Sequence, residues 1–69
     1  MKSLIAQNVK AIIRKKGLKS SYIAQKAGYS KNQFSAMLNG RKLITDVDVM
    51  NIAESLEVSV NSLFEKGGE

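Results

Sequence analysis

Apolar side chains recur every three or four positions along this chain, in short runs bounded by helix-capping residues. In the first run, Ile5, Val9 and Ile13 fall on one face of a helix predicted over residues 3–16. Gly17 follows three basic residues and can adopt the left-handed conformation that ends a helix. No segment alternates apolar and polar residues as a half-buried strand does. This pattern predicts an all-α fold of five short helices.

Capping residues define the second and third helices. Helix 2 is predicted over residues 20–27, with Ser20 as its N-cap and Gly28 at its end. Helix 3 is predicted over residues 31–39 because Ser30 is followed three positions later by a glutamine, which is the pattern of a capping box. An Asn-Gly pair then favours the end of helix 3.

The last part of the chain predicts two more helices. Thr45 and Asp48 form a second capping box that opens helix 4. The apolar stripe of helix 4 consists of Val49, Ile52, Ala53 and Leu56. Ser59 is expected to cap a fifth, short helix. One domain is predicted over residues 1–66, followed by a frayed tail over residues 67–69.

The composition excludes several classes of function. With 69 residues, 43% of them apolar, the chain can form one small domain that has little room for a deep substrate cavity, which disfavours an enzyme. Cysteine and histidine are both absent, so disulfides, thiolate nucleophiles, imidazole bases and the usual zinc sites are excluded. We expect no cofactor and no metal. Because no apolar run reaches membrane-spanning length, the sequence predicts a soluble, cytoplasmic protein.

The charges are divided unevenly along the chain. Residues 1–42 contain ten of the eleven basic side chains and no acidic one, whereas residues 43–69 contain one basic and six acidic side chains. This asymmetry points to a polyanionic partner for the basic half. The alternative on charge alone is a solvated basic surface.

The spacing of small and apolar residues within residues 20–42 predicts a helix-turn-helix. Ala24 is small where the axes of two crossing helices would approach each other, and Gly28 tolerates the positive φ that reverses the chain. Phe34 and Met37 then fill the angle between the helices from the second one.

The segments "RKKGLKSSYIAQKAGYSKNQFSAMLNGRK" and "IAESLEVSVNSLF" resemble the phage repressor and Cro family of helix-turn-helix proteins, also called the XRE family. The resemblance covers nearly all of the chain between helix 1 and helix 5. It implies a lambda-repressor-like domain that binds double-stranded DNA, with helix 3 in the major groove. It also implies a transcriptional regulator, expected to be a repressor, of bacterial or phage origin.

The outward side of helix 3 supplies the expected contacts to bases. Asn32 can pair with adenine, Lys31 can donate to guanine, and Ala36 can touch a thymine methyl group. The full predicted set is Lys31, Asn32, Gln33, Ser35 and Ala36. For Asn32 and Gln33 the alternative role is hydrogen bonding within the first turn of the helix.

The resemblance also implies where phosphates are contacted. In this family the start of helix 2 and the loop after helix 3 lie against the DNA backbone. The residues at these positions are Ser20, Ser21, Asn39, Arg41 and Lys42. The lysines of helix 1 are expected to act only at long range.

A domain of this size contacts few base pairs, so a homodimer on DNA is expected. The candidate dimer patch consists of Val58, Val60, Leu63 and Phe64, although these residues can instead close the core. The alternative function is an antitoxin or another protein-interaction module on the same fold. A protein bound to the membrane surface through helix 1 is disfavoured because the apolar residues of helix 1 are needed for the core.

Overall fold

A computed structural model describes residues 3–65, and within these residues the chain is all-helical. Its elements are four α-helices and one 3₁₀ helix: α1 (Leu4–Lys16), α2 (Ser20–Ala27), α3 (Lys31–Leu38), α4 (Asp46–Leu56) and the 3₁₀ helix (Val60–Leu63). The predicted tail over residues 67–69 lies outside the described residues.

The predicted C-cap of α1 and the predicted capping boxes of α3 and α4 are confirmed, and α1 has in addition an N-cap that was not predicted, Ser3. The Ser3 side chain accepts from the backbone N–H of Ala6, and Gly17 ends α1 with a φ of 69°. Both capping boxes are closed by reciprocal hydrogen bonds, at Ser30 before α3 and at Thr45 before α4. These local bonds satisfy N–H groups that have no partner within the helix.

The predicted cap of α2 is wrong by one residue. Lys19 is the N-cap, without a side-chain hydrogen bond, and Ser20 is already inside the helix. The backbone N–H of Leu18 bonds to the carbonyl of Ile13 at 3.0 Å, and the Leu18 side chain packs against the core. The bounds of α2 are therefore those predicted, whereas its N-cap lies one residue before the predicted serine.

The fifth element is a 3₁₀ helix rather than the predicted α-helix. Its bonds join residues three apart, such as Phe64 N–H to the Asn61 carbonyl at 3.0 Å. Ser59 does not cap it through its side chain, because the Ser59 hydroxyl pairs with the Ser62 hydroxyl at 3.1 Å. Helix α3 is also one residue shorter than predicted, since Asn39 is its C-cap and Gly40 takes the positive φ.

The core lies where α1, α2, α3, α4 and the 3₁₀ helix meet. Helix α2 packs against both α3 and α4, so the helix-turn-helix is attached to the rest of the domain through α4 as well as α1. The largest fully buried side chains are Phe34, Ile23, Met37, Ile52, Leu56, Leu63 and Val9. The predicted inner faces of α3 and α4 are therefore confirmed.

Two buried polar residues among those described, Asn8 and Ser55, were not predicted from the sequence. The Ser55 hydroxyl donates to the carbonyl of Ile52 in its own helix at 2.7 Å. Asn8 is buried, and its Nδ2 donates to the carbonyls of Leu63 at 2.8 Å and Glu65 at 2.9 Å. These bonds hold the end of the described chain against α1. The signal was available, since Asn8 interrupts the apolar stripe between Ile5 and Ile12 at helical spacing.

Candidate nucleic-acid interface

Helix α3 has an apolar inner side and a polar outer side. Phe34, Met37 and Leu38 are buried. Of the five residues predicted to contact bases, Lys31, Asn32 and Gln33 are exposed, whereas Ser35 and Ala36 are half-buried. The first turn of α3 is therefore the most accessible part of the predicted base-contacting surface.

Two hydrogen bonds on the outer side of α3 involve predicted contact residues. The Gln33 side-chain carbonyl accepts from the backbone N–H of Ser30 at 2.9 Å, so the capping role considered for Gln33 is confirmed. Asn39 Nδ2 donates to the Ser35 hydroxyl at 3.2 Å. These bonds fix the side chains of Gln33 and Asn39 and use part of their hydrogen-bonding capacity.

The start of α2 lies exposed at the N-terminal end of the helix-turn-helix. The first backbone bonds of α2 run from Tyr22 and Ile23 to the Lys19 carbonyl. The backbone N–H groups of Ser20 and Ser21 precede these bonds and can donate to an anion, as can the hydroxyls of these two exposed residues. No acidic residue stands in the first turn of α2.

The loop after α3 is folded back onto the end of that helix. The backbone N–H groups of Arg41 and Lys42 both bond to the Ala36 carbonyl, at 2.9 Å and 3.2 Å. These bonds set the position of the two basic residues relative to α3, while both side chains are exposed. The predicted phosphate-binding residues 39, 41 and 42 thus extend the polar surface beyond the C-terminus of α3.

Lys10, one of the helix 1 lysines predicted to act only at long range, adds a cation near α3. A groove of about 130 Å³ is lined on one side by Ser3 and the α1 residues Ala6, Gln7 and Lys10, and on the other side by Leu38, Asn39 and Gly40. Lys10 therefore lies beside the end of α3. Helical spacing in the sequence does not predict that Lys10 lies near α3, because this proximity depends on how α1 crosses α3.

Tyr29, in the turn between α2 and α3, links this turn to α4. Its hydroxyl donates to Asp48 Oδ1 at 2.5 Å, and its ring stacks on Phe34 with 6.2 Å between ring centroids. The other carboxylate oxygen, Asp48 Oδ2, accepts from the backbone N–H of Thr45 at 3.0 Å. The turn, α3 and the start of α4 are thus joined through the side chains of Tyr29 and Asp48.

The pKa of each partner is shifted in this environment. The hydrogen bond from Tyr29, followed by the backbone hydrogen bond from Thr45, lowers the pKa of Asp48. Burial, followed by the hydrogen bond to Asp48, raises the pKa of Tyr29. Both shifts favour a neutral phenol donating to a charged carboxylate over a wide pH range.

The charges around the helix-turn-helix favour the binding of an anion. Residues 3–42 contain no acidic side chain. Within residues 3–65, the one ion pair joins Lys26 to Glu57 at 3.4 Å, so Lys10, Lys31 and Arg41 make no ion pair there.

In the same part of the chain, no three His, Cys, Asp or Glu side chains lie close enough to hold a metal ion. No helix among these residues is both long and apolar enough to cross a membrane.

Comparison with known families agrees with this geometry. A family model described as the Cro/C1-type HTH DNA-binding domain matches residues 8–65. This match covers α1 from Asn8 onward and every later element of the described chain. Neither the curated proteins nor the solved structures compared with the chain include a significant match. The resemblance to the phage repressor and Cro family is confirmed, and the chain belongs to the Cro/C1-type helix-turn-helix DNA-binding domains.

Proposed function

We propose that this domain is a sequence-specific transcriptional repressor of bacterial or phage origin, which binds double-stranded DNA in the cytoplasm as a homodimer. The observation that carries the proposal is the exposed first turn of α3, which presents Lys31 and Asn32. The residues that we propose to bind phosphates lie at the start of α2 and after the end of α3. The surface is basic, polar and free of carboxylates from residue 3 to residue 42. Major-groove recognition requires this combination of base-edge donors with flanking phosphate contacts.

Within α3, Asn32 is proposed as the main discriminating residue. Its side chain is exposed and makes no hydrogen bond to the described residues, so both amide groups remain for a base. Asparagine can pair bidentately with adenine N6 and N7, which discriminates by about 1–3 kcal/mol. Lys31 is proposed to donate to guanine O6 or N7. Ser35 and Ala36 have short side chains and are proposed to contact the bases directly. Ala36 is proposed to touch a thymine methyl group.

The phosphate contacts are proposed on both sides of this helix. Ser20 and Ser21 supply hydroxyl and backbone N–H donors at the start of α2. Asn39, Arg41 and Lys42 supply donors after α3. We expect about four to six phosphates to be neutralised per subunit. The logarithm of the association constant for DNA then falls linearly with the logarithm of the salt concentration, with a slope of about −0.9 for each phosphate contact.

Selection of bound duplexes from a random pool tests the proposal. The wild-type domain is expected to yield one motif, and Asn32→Ala is expected to lose preference at one adenine position while keeping the rest. Asn61→Ala is the matched control, because Asn61 is exposed on the 3₁₀ helix away from α3. An unchanged motif in Asn32→Ala would refute the assignment of Asn32, and the absence of any motif would refute sequence-specific binding.

Salt titration tests the phosphate contacts separately. Arg41→Ala is expected to reduce the slope of log K against log salt by about one unit, without changing the selected motif. Lys15→Ala is the control, since Lys15 is exposed near the end of α1 and borders a groove with Val58 rather than α3. Equal salt slopes for Arg41→Ala and the wild type would show that Arg41 does not contact a phosphate.

A second candidate function, an antitoxin or another protein-interaction module, is supported by one groove. This groove of about 570 Å³ lies between α1 and the segment around the 3₁₀ helix. Its lining combines apolar Ile12 and Val58 with basic Arg14, Lys15 and Lys16. Such a surface suits an acidic amphipathic segment of another protein. A random-pool selection without a motif would favour this function over the repressor.

A further inference from the structure

The groove of about 570 Å³ between α1 and the segment around the 3₁₀ helix, called the α1 groove below, follows one side of α1. Four of its lining residues are spaced i, i+3, i+4 and i+7, which places them on one side of a helix: Asn8, Ala11, Ile12 and Lys15. From Asn8 to Lys16 the α1 side of the groove is about 12 Å long, because each residue adds about 1.5 Å. This length accommodates about two turns of another helix.

The floor of the α1 groove is apolar. Ala11, Ile12 and Val58 line it and are half-buried. Ile12 and Val58 also pack against the core, so the floor is continuous with the core. Apolar side chains of another molecule that enter the groove would therefore extend the packing of the domain itself.

The candidate dimer patch predicted from the sequence does not form one exposed surface. Leu63 is fully buried and Val58 packs against the core, so the alternative role of closing the core is confirmed for both. Val60 and Phe64 remain exposed. Val58 therefore belongs to the core on one side and to the α1 groove on the other.

Cations border the apolar floor. Arg14, Lys15 and Lys16 are exposed and line the groove, together with a single acidic side chain, Glu65. Within residues 3–65, none of the three cations makes an ion pair. Cations in the last turn of a helix suit its macrodipole, but the macrodipole does not account for the apolar floor beside them. The combination is complementary to a segment that is both apolar and acidic.

The α1 groove and the proposed DNA surface lie on different sides of α1. Lys10 lies beside the end of α3, whereas Asn8 and Ile12 line the α1 groove. Lys10 is two positions from each of them, and residues two positions apart on a helix point about 200° apart. None of the residues proposed to contact DNA lines the α1 groove. Both surfaces can therefore be occupied at once.

We propose that the α1 groove binds an acidic amphipathic helix of a partner protein while the same domain remains bound to DNA. Two apolar side chains one turn apart on the partner pack on Ile12 and Val58, and its carboxylates pair with Arg14 and Lys15. The groove assignment stands on the groove alone, whereas simultaneous occupancy rests on the proposed function. The inference gives the second candidate function a partner chemistry and makes it compatible with the repressor.

A helix of another protein fits this groove better than the other occupants. An extended segment binds by adding to the edge of a sheet, and residues 3–65 form helices only. Residues 66–69 of this chain carry no apolar side chain, so they cannot fill the apolar floor. DNA offers charge but no apolar side chains to match Ile12 and Val58.

Peptide selection on the full chain tests the groove. The probe is a displayed library of random peptides of about 14 residues, which is long enough to form a helix on binding. The enriched peptides are expected to be acidic and to carry apolar residues three or four positions apart. Lys15→Glu is expected to weaken the binding of such a peptide about tenfold. Lys10→Glu is the matched control, because it makes the same charge change on the other side of α1, and it is expected to leave the affinity unchanged.

A charge exchange separates a direct contact from a general charge effect. Replacing one acidic residue of the enriched peptide with lysine is expected to restore its binding to Lys15→Glu and to weaken its binding to the wild type. No enrichment, acidic peptides without paired apolar residues, or equal binding to Lys15→Glu and the wild type overturns the groove assignment. Dimers that sediment as such in the wild type and are lost in Lys15→Glu would also overturn it, because a second copy would then occupy the groove.

Simultaneous occupancy is measured with the labelled peptide and a duplex that carries the selected motif. Fluorescence anisotropy is expected to give the same peptide affinity, within about twofold, with and without saturating duplex. Displacement of the peptide by the duplex would overturn simultaneous binding. A chain that binds the peptide but no duplex at low salt refutes the proposed DNA binding and leaves the groove assignment intact.

Discussion

Replacing Tyr29 with phenylalanine tests the link between the helix-turn-helix and α4. The substitution removes the hydroxyl that donates to Asp48 at 2.5 Å and keeps the ring that stacks on Phe34. A hydrogen bond to a charged group contributes about 1.5–3 kcal/mol. Because both side chains are half-buried, solvent replaces part of the lost bond, and we expect a loss of about 1–2 kcal/mol in the free energy of unfolding.

The loss is large relative to the stability of such a domain. At about 0.05–0.15 kcal/mol per residue, 69 residues give a free energy of unfolding of about 3–10 kcal/mol. A loss of 1 kcal/mol lowers the Tm of a domain of this size by about 4–8 °C. Urea denaturation followed by circular dichroism at several pH values measures the effect. Tyr22→Phe is the control, because Tyr22 is exposed and its hydroxyl does not bond to a carboxylate.

The pH dependence follows from the direction of the two pKa shifts. The pKa of Asp48 is lowered in the folded chain, so its stabilising effect is complete above the unfolded pKa of about 4 and is lost as the pH falls through the folded pKa. The pKa of Tyr29 is raised by burial and by the bond to Asp48, so its effect is complete below about pH 10 and is lost as the pH rises through the folded pKa.

The difference in unfolding free energy between wild type and Tyr29→Phe is therefore expected to be constant from about pH 5 to pH 9 and to shrink on both sides. A difference below about 0.5 kcal/mol at pH 7 would show that the hydrogen bond contributes little. A difference that stayed the same down to pH 2 would show that it does not depend on the Asp48 carboxylate.

Three further predictions concern separate features. Asn8→Asp places a carboxylate against the carbonyls of Leu63 and Glu65, and we expect a loss of about 3 kcal/mol in unfolding free energy, measured by urea denaturation against Asn8→Ala. Glu57 ends α4 with a φ of 59°, so Glu57→Gly should be about 1 kcal/mol more stable than Glu57→Ala, and equal Tm values would contradict this. Lys10→Ala should reduce the salt slope of DNA binding by about one unit if Lys10 contacts a phosphate beside α3, and an unchanged slope would limit it to a long-range effect.

The features that the sequence predicted well are those encoded by neighbouring residues. Both capping boxes need only a Ser or Thr and an acceptor three positions later, and both are formed. Gly17 and Gly28 follow the last residues of α1 and α2, and both have positive φ as predicted. The buried side of α3 follows from helical spacing alone. Such signals do not depend on where the rest of the chain lies.

The features that the sequence did not predict depend on contacts between distant residues. Ser20 is a better cap than Lys19 by local preference, yet Lys19 is the N-cap, and its neighbour Leu18 packs against the core. The bond between Tyr29 and Asp48 joins residues 19 positions apart, and the bonds of Asn8 span more than 50 positions. Lys10 lies beside α3 only because of the crossing of α1 over it. The spacing of residues along the sequence does not predict these contacts.

The capping box of α3 also limits which of its two exposed amides can recognise adenine. Bidentate pairing with adenine needs both the carbonyl and the amino group of one side chain. The Gln33 carbonyl accepts from the backbone N–H of Ser30, which uses one of its two lone pairs and holds this oxygen against the N-cap. While the cap is formed, the amino group of Gln33 is the part best placed to reach DNA, where it can donate to guanine O6 or N7 or to a phosphate. Asn32 keeps both groups. If the selected motif contains an adenine that α3 recognises bidentately, Asn32 is therefore the residue that pairs with it, unless Gln33 gives up its cap at a cost of about 1 kcal/mol.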